Sequence, residues 1–224
     1  MNVKGIMATA LLAAVFLTPG PGSVAALPGP VPRTILVLGD SLAAGFGVEP
    51  EQAFPALLQQ KIEAAGWRDI VVNAGVSGDT SADGLARIDW LLRRKVDVLI
   101  LELGANDGLR GIPVPTIKTN LQAIVDRMKH KYPQARIIIA GMQMPPNVGG
   151  LYAEAYRKIF PDLAAENHAA LIPFLLEGVG GKPELNQPDH MHPNAEGHKI
   201  VAENVWKILQ PVLSQSSAGN GTAR

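Results

Sequence analysis

Residues 34–42 of this 224-residue chain read Thr34-Ile-Leu-Val-Leu-Gly-Asp-Ser-Leu42, an apolar run that ends in a glycine and two polar residues. The run is short, rich in β-branched residues and apolar without alternation, which indicates a strand covered on both faces. Similar stretches occur at 69–73, 96–103, 136–140 and 170–174. Strands of this kind belong to parallel sheets that are flanked by helices.

Segments of helical period lie between these predicted strands. They are residues 51–65, a helix that begins at Thr80 or Ser81, residues 117–128, residues 151–168, and a last helix capped by Asn194. We expect the helix over 151–168 to be broken or kinked at Pro161, which cannot donate a backbone hydrogen bond. Five βα units with right-handed crossovers predict one open, doubly wound, five-stranded and mostly parallel sheet. The expected strand order is flavodoxin-like.

Composition and charge narrow the possible functions. The chain is 47% hydrophobic and only 18% charged, which excludes a disordered protein. Twenty Lys and Arg balance twenty Asp and Glu, so the basic surface of a nucleic-acid-binding protein is not expected. The absence of cysteine removes disulfides, thiolate metal sites and cysteine nucleophiles. Chemistry must therefore rest on Ser, His, Asp, Glu, Asn, or a metal bound by oxygen and nitrogen.

Residues 1–26 have the features of a signal peptide. Lys4 gives a positive start, residues 7–17 are uncharged and apolar, and Val24-Ala-Ala26 offers small residues for cleavage. The apolar run is shorter than the ~20 residues that span a bilayer, so an uncleaved anchor is the weaker alternative. We predict a periplasmic or secreted protein without a stable membrane anchor after cleavage, comprising one domain over 27–213 and a disordered tail over 214–224.

Polar and glycine-rich clusters follow four of the predicted strands. They are Gly39-Asp-Ser-Leu42, Asn73-Ala-Gly-Val-Ser-Gly-Asp79, Gly104-Ala-Asn-Asp-Gly108 and Asp189-His-Met-His-Pro193. In an open parallel sheet, ligands bind outside the carboxyl ends of the strands. Four loops are therefore expected to bring a hydroxyl, a glycine turn, a carboxamide and an Asp/His pair to one edge of the sheet.

Those groups fit acyl transfer. A serine hydroxyl needs a neighbouring base, which predicts Ser41 as nucleophile and His192 as base, with Asp189 holding the imidazole. The backbone N–H groups of Ser41 and Gly78 and the amide of Asn106 are candidates for an oxyanion hole. Taken singly, each residue also fits a helix cap, a turn or a surface position. Four such coincidences in one chain are improbable, which favours the catalytic interpretation.

An apolar segment follows the fourth predicted strand, where a substrate loop is expected. Its residues Met142, Met144, Pro145 and Pro146 are candidates for lining an acyl or aryl pocket, and plain packing is the alternative.

The ordered blocks Gly39-Asp-Ser-Leu42, Gly78, Gly104-x-Asn-Asp107 and Asp189-x-x-His192 resemble those of the SGNH hydrolases, also called GDSL esterases. The resemblance covers about residues 33–212 and is close to the branch of thioesterase I/lysophospholipase and the bacterial arylesterases. It implies a three-layer α/β/α fold and a cofactor-free serine hydrolase, with the triad and oxyanion donors named above. His190 stands at the pocket rim, where the branch often has a smaller residue.

The leading hypothesis is an exported hydrolase of small-molecule carboxylic esters that works through an acyl-enzyme on Ser41. The substrates expected are aryl or short-to-medium acyl esters, with thioesters and lysophospholipids as further candidates. Two alternatives stay open. One is a metal-dependent hydrolase using Asp189, His190, His192 and His198. The other is a binding domain of the same fold without turnover.

Overall fold

The computed structural model describes residues 31–145 and 149–218, so the expected signal peptide and Pro146 lie outside the described residues. The strands form one five-stranded parallel sheet in the order β2-β1-β3-β4-β5. Their bounds are β1 Thr34–Gly39, β2 Ile70–Gly75, β3 Val98–Glu102, β4 Arg136–Ala140 and β5 Ala170–Ile172. The predicted parallel sheet and flavodoxin-like strand order are confirmed.

Seven α-helices are present in the described part of the chain. They are α1 Ser41–Ala44, α2 Phe54–Ala64, α3 Ser81–Leu91, α4 Ala105–Leu109, α5 Val114–Lys131, α6 Gly150–Asn167 and α7 Ala195–Ala218. Helices α2 and α7 pack together, while α3, α5 and α6 form a second packed row. The sheet therefore lies between two helical layers. None of the helices that the structure describes is long and apolar enough to cross a membrane.

The central strands are buried because helices cover both of their faces. All five residues of β3 are buried, as are five of the six residues of β1. Their side chains belong to one continuous hydrophobic core that also includes the inner faces of the long helices. This burial explains why these strands are apolar without alternation.

The register of the sheet aligns the loops that carry polar residues. Gly39, the last residue of β1, pairs with Gly75 of β2 on one side and with Glu102 of β3 on the other. The three strands thus end level with one another. The segments that follow them emerge side by side at the carboxyl edge of the sheet.

The structure corrects two expectations about helices, the break at Pro161 and the disorder of residues 214–218. Helix α6 continues through Pro161 without a break, because the side chains of Tyr156, Phe160 and Leu163 are buried on both sides of the proline. Helix α7 extends to Ala218, so residues 214–218 are helical where a disordered tail was expected. The Ser214 hydroxyl donates to the Gln210 carbonyl one turn earlier, at 2.9 Å, so this polar side chain is satisfied within the helix.

Candidate active site

Ser41 is the first residue of α1, directly after the end of β1. Its N–H is therefore one of those that a helix leaves without an intrahelical acceptor. Asp40 caps this helix, since its Oδ1 accepts from the Leu42 N–H at 3.0 Å. A Cβ at Gly39 would collide with the Glu102 carboxyl group and the Cβ of Ala43. Only glycine therefore fits directly before Asp40 and Ser41, because these groups leave no space for a side chain.

Asp189 and His192 form a local pair within one turn of chain. The Nδ1 of His192 lies 2.7 Å from Asp189 Oδ2. The other carboxylate oxygen, Oδ1, accepts the backbone N–H groups of Met191 at 2.9 Å and His192 at 3.0 Å. The carboxylate therefore holds both the ring and the backbone of the same histidine.

The pair meets Ser41 across the sheet edge. His192 Nε2 lies 3.0 Å from Ser41 Oγ, although the two residues are 151 positions apart in sequence. The three side chains form one hydrogen-bonded series from carboxylate to imidazole to hydroxyl. The structure thus brings together the three residues that the sequence predicts as a triad.

The carboxylate of Asp189 is stabilised in its charged form. Its pKa is lowered to about 2, first by the backbone N–H of His192 and further by the Met191 N–H and the His192 ring. Asp189 is therefore ionised at neutral pH, and it accepts a hydrogen bond from His192 Nδ1 when that nitrogen carries the ring proton. That tautomer leaves Nε2 of His192 with a free lone pair facing the Ser41 hydroxyl.

Gln187 anchors the segment 189–193, here called the histidine loop because it carries His192. Its N–H donates to the His192 carbonyl at 2.7 Å, and its side-chain Nε2 donates to the carbonyls of Phe46 at 2.5 Å and Pro193 at 3.1 Å. Asn194 then begins α7, because its Oδ1 accepts the N–H groups of residues 196 and 197. The predicted Asn194 cap is confirmed, and it fixes the loop at its far end.

The other two predicted oxyanion donors lie in the loops after β2 and β3. Gly78 has a φ of 88°, which favours glycine, and a Cβ added there would meet only Arg110 Nη2, at 3.9 Å. Asn106 lies on α4, and its Nδ2 donates to the Asp79 carbonyl at 2.9 Å and to Asp40 Oδ2 at 3.2 Å. Both amide hydrogens of Asn106 thus have protein partners, the longer bond being to Asp40.

Two buried carboxyl groups, those of Asp40 and Glu102, adjoin the turn that presents Ser41. Burial raises the pKa of Asp40 to about 6, although the Leu42 N–H opposes the shift. Burial also raises the pKa of Glu102 well above its ordinary value, and the neighbouring Asp40 adds to this. Glu102 accepts backbone N–H groups of Asp40, at 3.2 Å, and Ala43. Its Oε1 has no hydrogen-bond partner within the described residues.

Aspartates and arginines brace the loops around the site. Asp79 accepts from Arg87 Nε at 2.7 Å, and the same guanidinium donates to the Gly39 carbonyl at 3.0 Å. Arg110 donates to the Gly78 carbonyl at 3.0 Å. Asp107 is buried and accepts from the N–H and hydroxyl of Ser81 at the start of α3. These bonds join the ends of β1, β2 and β3 into one unit.

The predicted pocket residues divide into two groups. Met142 is part of the buried core, which fits the packing alternative rather than a pocket lining. Met144 packs against Gly108 of α4 and lines a cavity of about 340 Å³ beside α6. Pro145 is exposed, and His190 occupies an exposed turn with a φ of 58° next to the Asp189–His192 pair. A second cavity, of about 410 Å³, lies between α3 and α5 and includes none of the strand-end residues.

The hypothetical metal ligands are not all brought together. His198 is buried on α7, where its Nδ1 accepts the Phe54 N–H at 3.3 Å and its ring stacks on that of Phe54. The Nδ1 of His198 is therefore occupied by the hydrogen bond from the first residue of α2. Within residues 31–145 and 149–218, no group of three His, Asp or Glu side chains is arranged to hold a metal ion.

Sequence reasoning assigned no role to several residues that shape the site: Phe46, Arg87, Glu102, Arg110 and Gln187. Glu102 carried a signal, since an acidic residue inside an apolar strand must be paired or neutralised. The arginines and Gln187 bond to backbone carbonyls, and such partners leave no trace in residue type or spacing.

A serine, a histidine and an aspartate linked in this order at the carboxyl edge of a doubly wound sheet define the class of serine hydrolases. The sequence profile described as the GDSL-like lipase/acylhydrolase family matches residues 37–200. The chain belongs to this family, which is also called SGNH, and it is a serine hydrolase that acts on ester bonds.

Three named relatives match most of the chain. Esterase TesA of Pseudomonas aeruginosa is 41% identical over 182 residues, which cover 81% of this chain and 90% of the relative. An arylesterase of Vibrio mimicus is 40% identical over 78% of this chain and 87% of its own length. Thioesterase 1/protease 1/lysophospholipase L1 of Escherichia coli K12 is 40% identical over 82% of this chain and 86% of its own length.

Solved structures show the same fold. The crystal structure of TesA superposes with a TM-score of 0.77 at 41% identity, covering 80% of this chain and 99% of that one. A second structure is the esterase EstA from Pseudoalteromonas sp., inhibited by monoethylphosphonate. It superposes with a TM-score of 0.77 at 34% identity, and the match covers 81% of this chain and 99% of EstA. The expected three-layer α/β/α architecture is thus confirmed.

Proposed function

We propose that the protein hydrolyses carboxylic esters through a covalent acyl-enzyme on Ser41. The observation that carries this proposal is the series Asp189 Oδ2–His192 Nδ1 at 2.7 Å and His192 Nε2–Ser41 Oγ at 3.0 Å. This arrangement gives a weak nucleophile a base and gives the base an orienting carboxylate.

The first half of the reaction forms the acyl-enzyme. Ser41 Oγ attacks the ester carbonyl carbon while its proton passes to His192 Nε2, and the carbonyl π bond becomes an oxyanion. The tetrahedral intermediate then expels the alcohol, whose oxygen receives the proton from Nε2. Asp189 stabilises the imidazolium through both steps and keeps its own negative charge.

The second half returns the enzyme to its starting state. A water molecule gives a proton to His192 Nε2 and attacks the acyl carbon. The tetrahedral intermediate collapses, the bond to Ser41 Oγ breaks, and that oxygen regains its proton from Nε2. The products are a carboxylic acid and an alcohol, and no cofactor enters the balance.

The oxyanion formed in both halves needs hydrogen-bond donors. We assign the N–H groups of Ser41 and Gly78 and the side chain of Asn106 to this role. Of the two Asn106 hydrogens, the one that meets Asp40 makes the longer bond, at 3.2 Å. This is the hydrogen that we expect to turn toward substrate. Losing one such donor typically costs ~10²–10³-fold in kcat.

The relatives' names support the proposed substrate range. An esterase, an arylesterase and a thioesterase/lysophospholipase match the chain at 40–41% identity. We propose aryl esters and short-to-medium acyl esters as substrates, with thioesters and lysophospholipids as further members of the range. A panel of p-nitrophenyl esters from acetate to palmitate, with phenyl acetate, acyl-CoA and lysophospholipid, ranks them directly.

A fluorophosphonate probe tests the nucleophile. We expect one label per chain on the wild type, and none on Ser41→Ala, with turnover reduced on the order of 10⁶-fold if subtilisin is a guide. Ser214→Ala, an exposed serine on α7, serves as the matched control and should label and turn over normally. Full activity of Ser41→Ala would rule out the mechanism. Ester binding without turnover by the wild type would instead identify a non-catalytic binding domain.

We also propose that residues 1–26 direct export and are removed. The proposal rests on the charge, apolar run and small residues of that segment. N-terminal sequencing of the protein from the periplasmic fraction and the medium should give a start close to residue 27. Recovery of the full-length chain from membranes would instead indicate an uncleaved anchor.

A further inference from the structure

Phe46 contacts both Ser41 and His192 of the candidate triad. Its backbone N–H donates to the carbonyl of Ser41 at 3.0 Å, and its own carbonyl accepts from Gln187 at 2.5 Å. Its ring lies against the imidazole of His192, with 4.6 Å between the ring centroids and an angle of 43° between the planes. The residue is thus bonded to the nucleophile's backbone and packed on the base.

The loop around Phe46 holds the ring at this position. Gly45 and Gly47 flank it with φ values of 77° and 74°. A Cβ on Gly47 would collide with the side chain of Gln187, which itself anchors the histidine loop. Phe46 as a whole residue is nevertheless 48% exposed, which places it among the exposed large hydrophobic residues of the chain. Its exposed surface is available to a bound substrate.

The contact with His192 places the ring on the leaving-group side of the reaction. The leaving oxygen must come within hydrogen-bond reach of His192 Nε2 to take its proton. Groups attached to that oxygen therefore lie near the imidazole and near any ring packed on it. The acyl oxygen instead points to Gly78 and Asn106, which belong to the loops after β2 and β3.

An aromatic leaving group whose oxygen meets His192 Nε2 would lie close to the Phe46 ring. Aromatic pairs are stable at centroid separations of about 4.5–7 Å in tilted or offset arrangements. Phe46 and the His192 ring are already within this range of one another. Resting on the proposed function above, we infer that Phe46 is a specificity-determining residue that binds the leaving group and favours esters of phenols over esters of aliphatic alcohols.

The test compares phenyl acetate with cyclohexyl acetate, whose leaving groups have the same ring size. Both give the same acetyl-enzyme, so deacylation is common to the two substrates. We expect Phe46→Leu to lower the kcat/KM ratio of phenyl to cyclohexyl acetate by roughly two- to tenfold, the value of an aromatic pair. Phe46→Tyr should preserve the ratio. Trp90→Leu, which removes an exposed aromatic ring on α3, should leave the ratio unchanged.

A purely positioning role for Phe46 shifts the ratio in the other direction. Cyclohexanol is a much weaker acid than phenol, so its departure depends more on the proton from His192. A misplaced imidazole would slow cyclohexyl acetate more and raise the ratio. An unchanged or raised ratio in Phe46→Leu therefore overturns the inference.

A second measurement needs no variant. Phenol should inhibit cyclohexyl acetate hydrolysis by the wild type at lower concentration than cyclohexanol does, and equal inhibition counts against an aromatic leaving-group site. Failure of the proposed function is a separate result. In that case the wild type hydrolyses neither acetate and Ser41 is not labelled by the fluorophosphonate.

Discussion

At the scale of single residues, the proposed mechanism depends on which nitrogen of His192 carries the proton. Asp189 Oδ2 lies 2.7 Å from Nδ1, and the aspartate is ionised at neutral pH because its pKa is lowered to about 2 by backbone N–H donors. A neutral amide at position 189 would remove this preference. Its NH₂ group can donate to Nδ1 and thereby move the ring proton to Nε2.

Asp189→Asn should therefore retain the fold and lose activity. We expect kcat to fall roughly 10³–10⁴-fold, because the wrong tautomer cannot accept the Ser41 proton. Steady-state ester hydrolysis and the rate of fluorophosphonate labelling measure the effect. Asp162→Asn, at an exposed position of α6, is the control and should behave as wild type. An Asp189→Asn enzyme with normal kcat would remove Asp189 from the mechanism.

Glu102 is the second residue whose protonation matters. It is 1% exposed, and burial raises its pKa well above the ordinary value, so the neutral acid is favoured. Its carboxyl group accepts the Asp40 N–H at the turn that presents Ser41. Glutamine keeps an oxygen acceptor of the same shape and has no charge to bury.

We expect Glu102→Gln to keep most of the stability and activity, whereas Glu102→Ala should lose about 1–3 kcal/mol from unsatisfied backbone donors alone. Urea unfolding and ester hydrolysis of both variants are the measurements. Glu166→Gln removes an exposed carboxylate paired with Lys118 and should change little. If Glu102→Gln is as damaging as Glu102→Ala, the ionised form is the functional one.

At the scale of elements, His198 of α7 supports the start of α2. Its Nδ1 accepts the Phe54 N–H at 3.3 Å, which requires a ring nitrogen without a proton. Burial and, to a smaller extent, the charge of His192 lower the pKa of His198 to about 4. The unfolded chain binds a proton near pH 6.5, whereas the folded chain resists it. The free energy of unfolding therefore falls as the pH drops from about 6.5 to about 4.

His198→Gln should weaken this acid destabilisation, because the amide oxygen accepts the Phe54 N–H without titrating. Urea unfolding of variant and wild type at several pH values between 4 and 7 isolates the effect. Buried Asp40 and Glu102 contribute with the opposite sign, since their raised pKa values favour the folded state in acid, but they are common to both proteins. His130→Gln, at an exposed position on α5, is the control. Equal pH dependence of wild type and His198→Gln would contradict the account.

The elements also differ in how far their sequence predicted them. Apolar runs located all five strands within a few residues. Burial on both faces explains the continuous pattern of β1 and β3, whereas the edge strand β2 is apolar although several of its residues are exposed. Helices α1 and α4 are four and five residues long, too short for a periodic signal, yet they carry Ser41 and Asn106. Helix α7 extends past its expected end, because the backbone hydrogen bonds of a helix do not require apolar side chains.

At the scale of the whole molecule, the proposed chemistry uses only side chains and backbone groups of four loops. Activity should therefore survive exhaustive EDTA treatment and dialysis. Ester hydrolysis before and after treatment, with and without added Mg²⁺, Ca²⁺ or Zn²⁺, is the measurement. Loss of activity on chelation with recovery on adding one metal would revive the metal-dependent alternative through Asp189, His190 and His192.

The sequence alone determined the sheet, its helical layers and the identity of the groups at its carboxyl edge. It could do so because strand burial and the residue types needed for acyl transfer are local properties of the chain. Ser41, Asp189 and His192 were recognisable from type, spacing and position after strands.

Only the tertiary structure decided how those groups meet and what supports them. The 3.0 Å contact between His192 and Ser41 joins residues 151 positions apart. The tilted ring contact between Phe46 and His192 and the two partners of the Asn106 amide likewise depend on several loops at once. Such contacts follow from strand register and packing, which no single stretch of sequence contains.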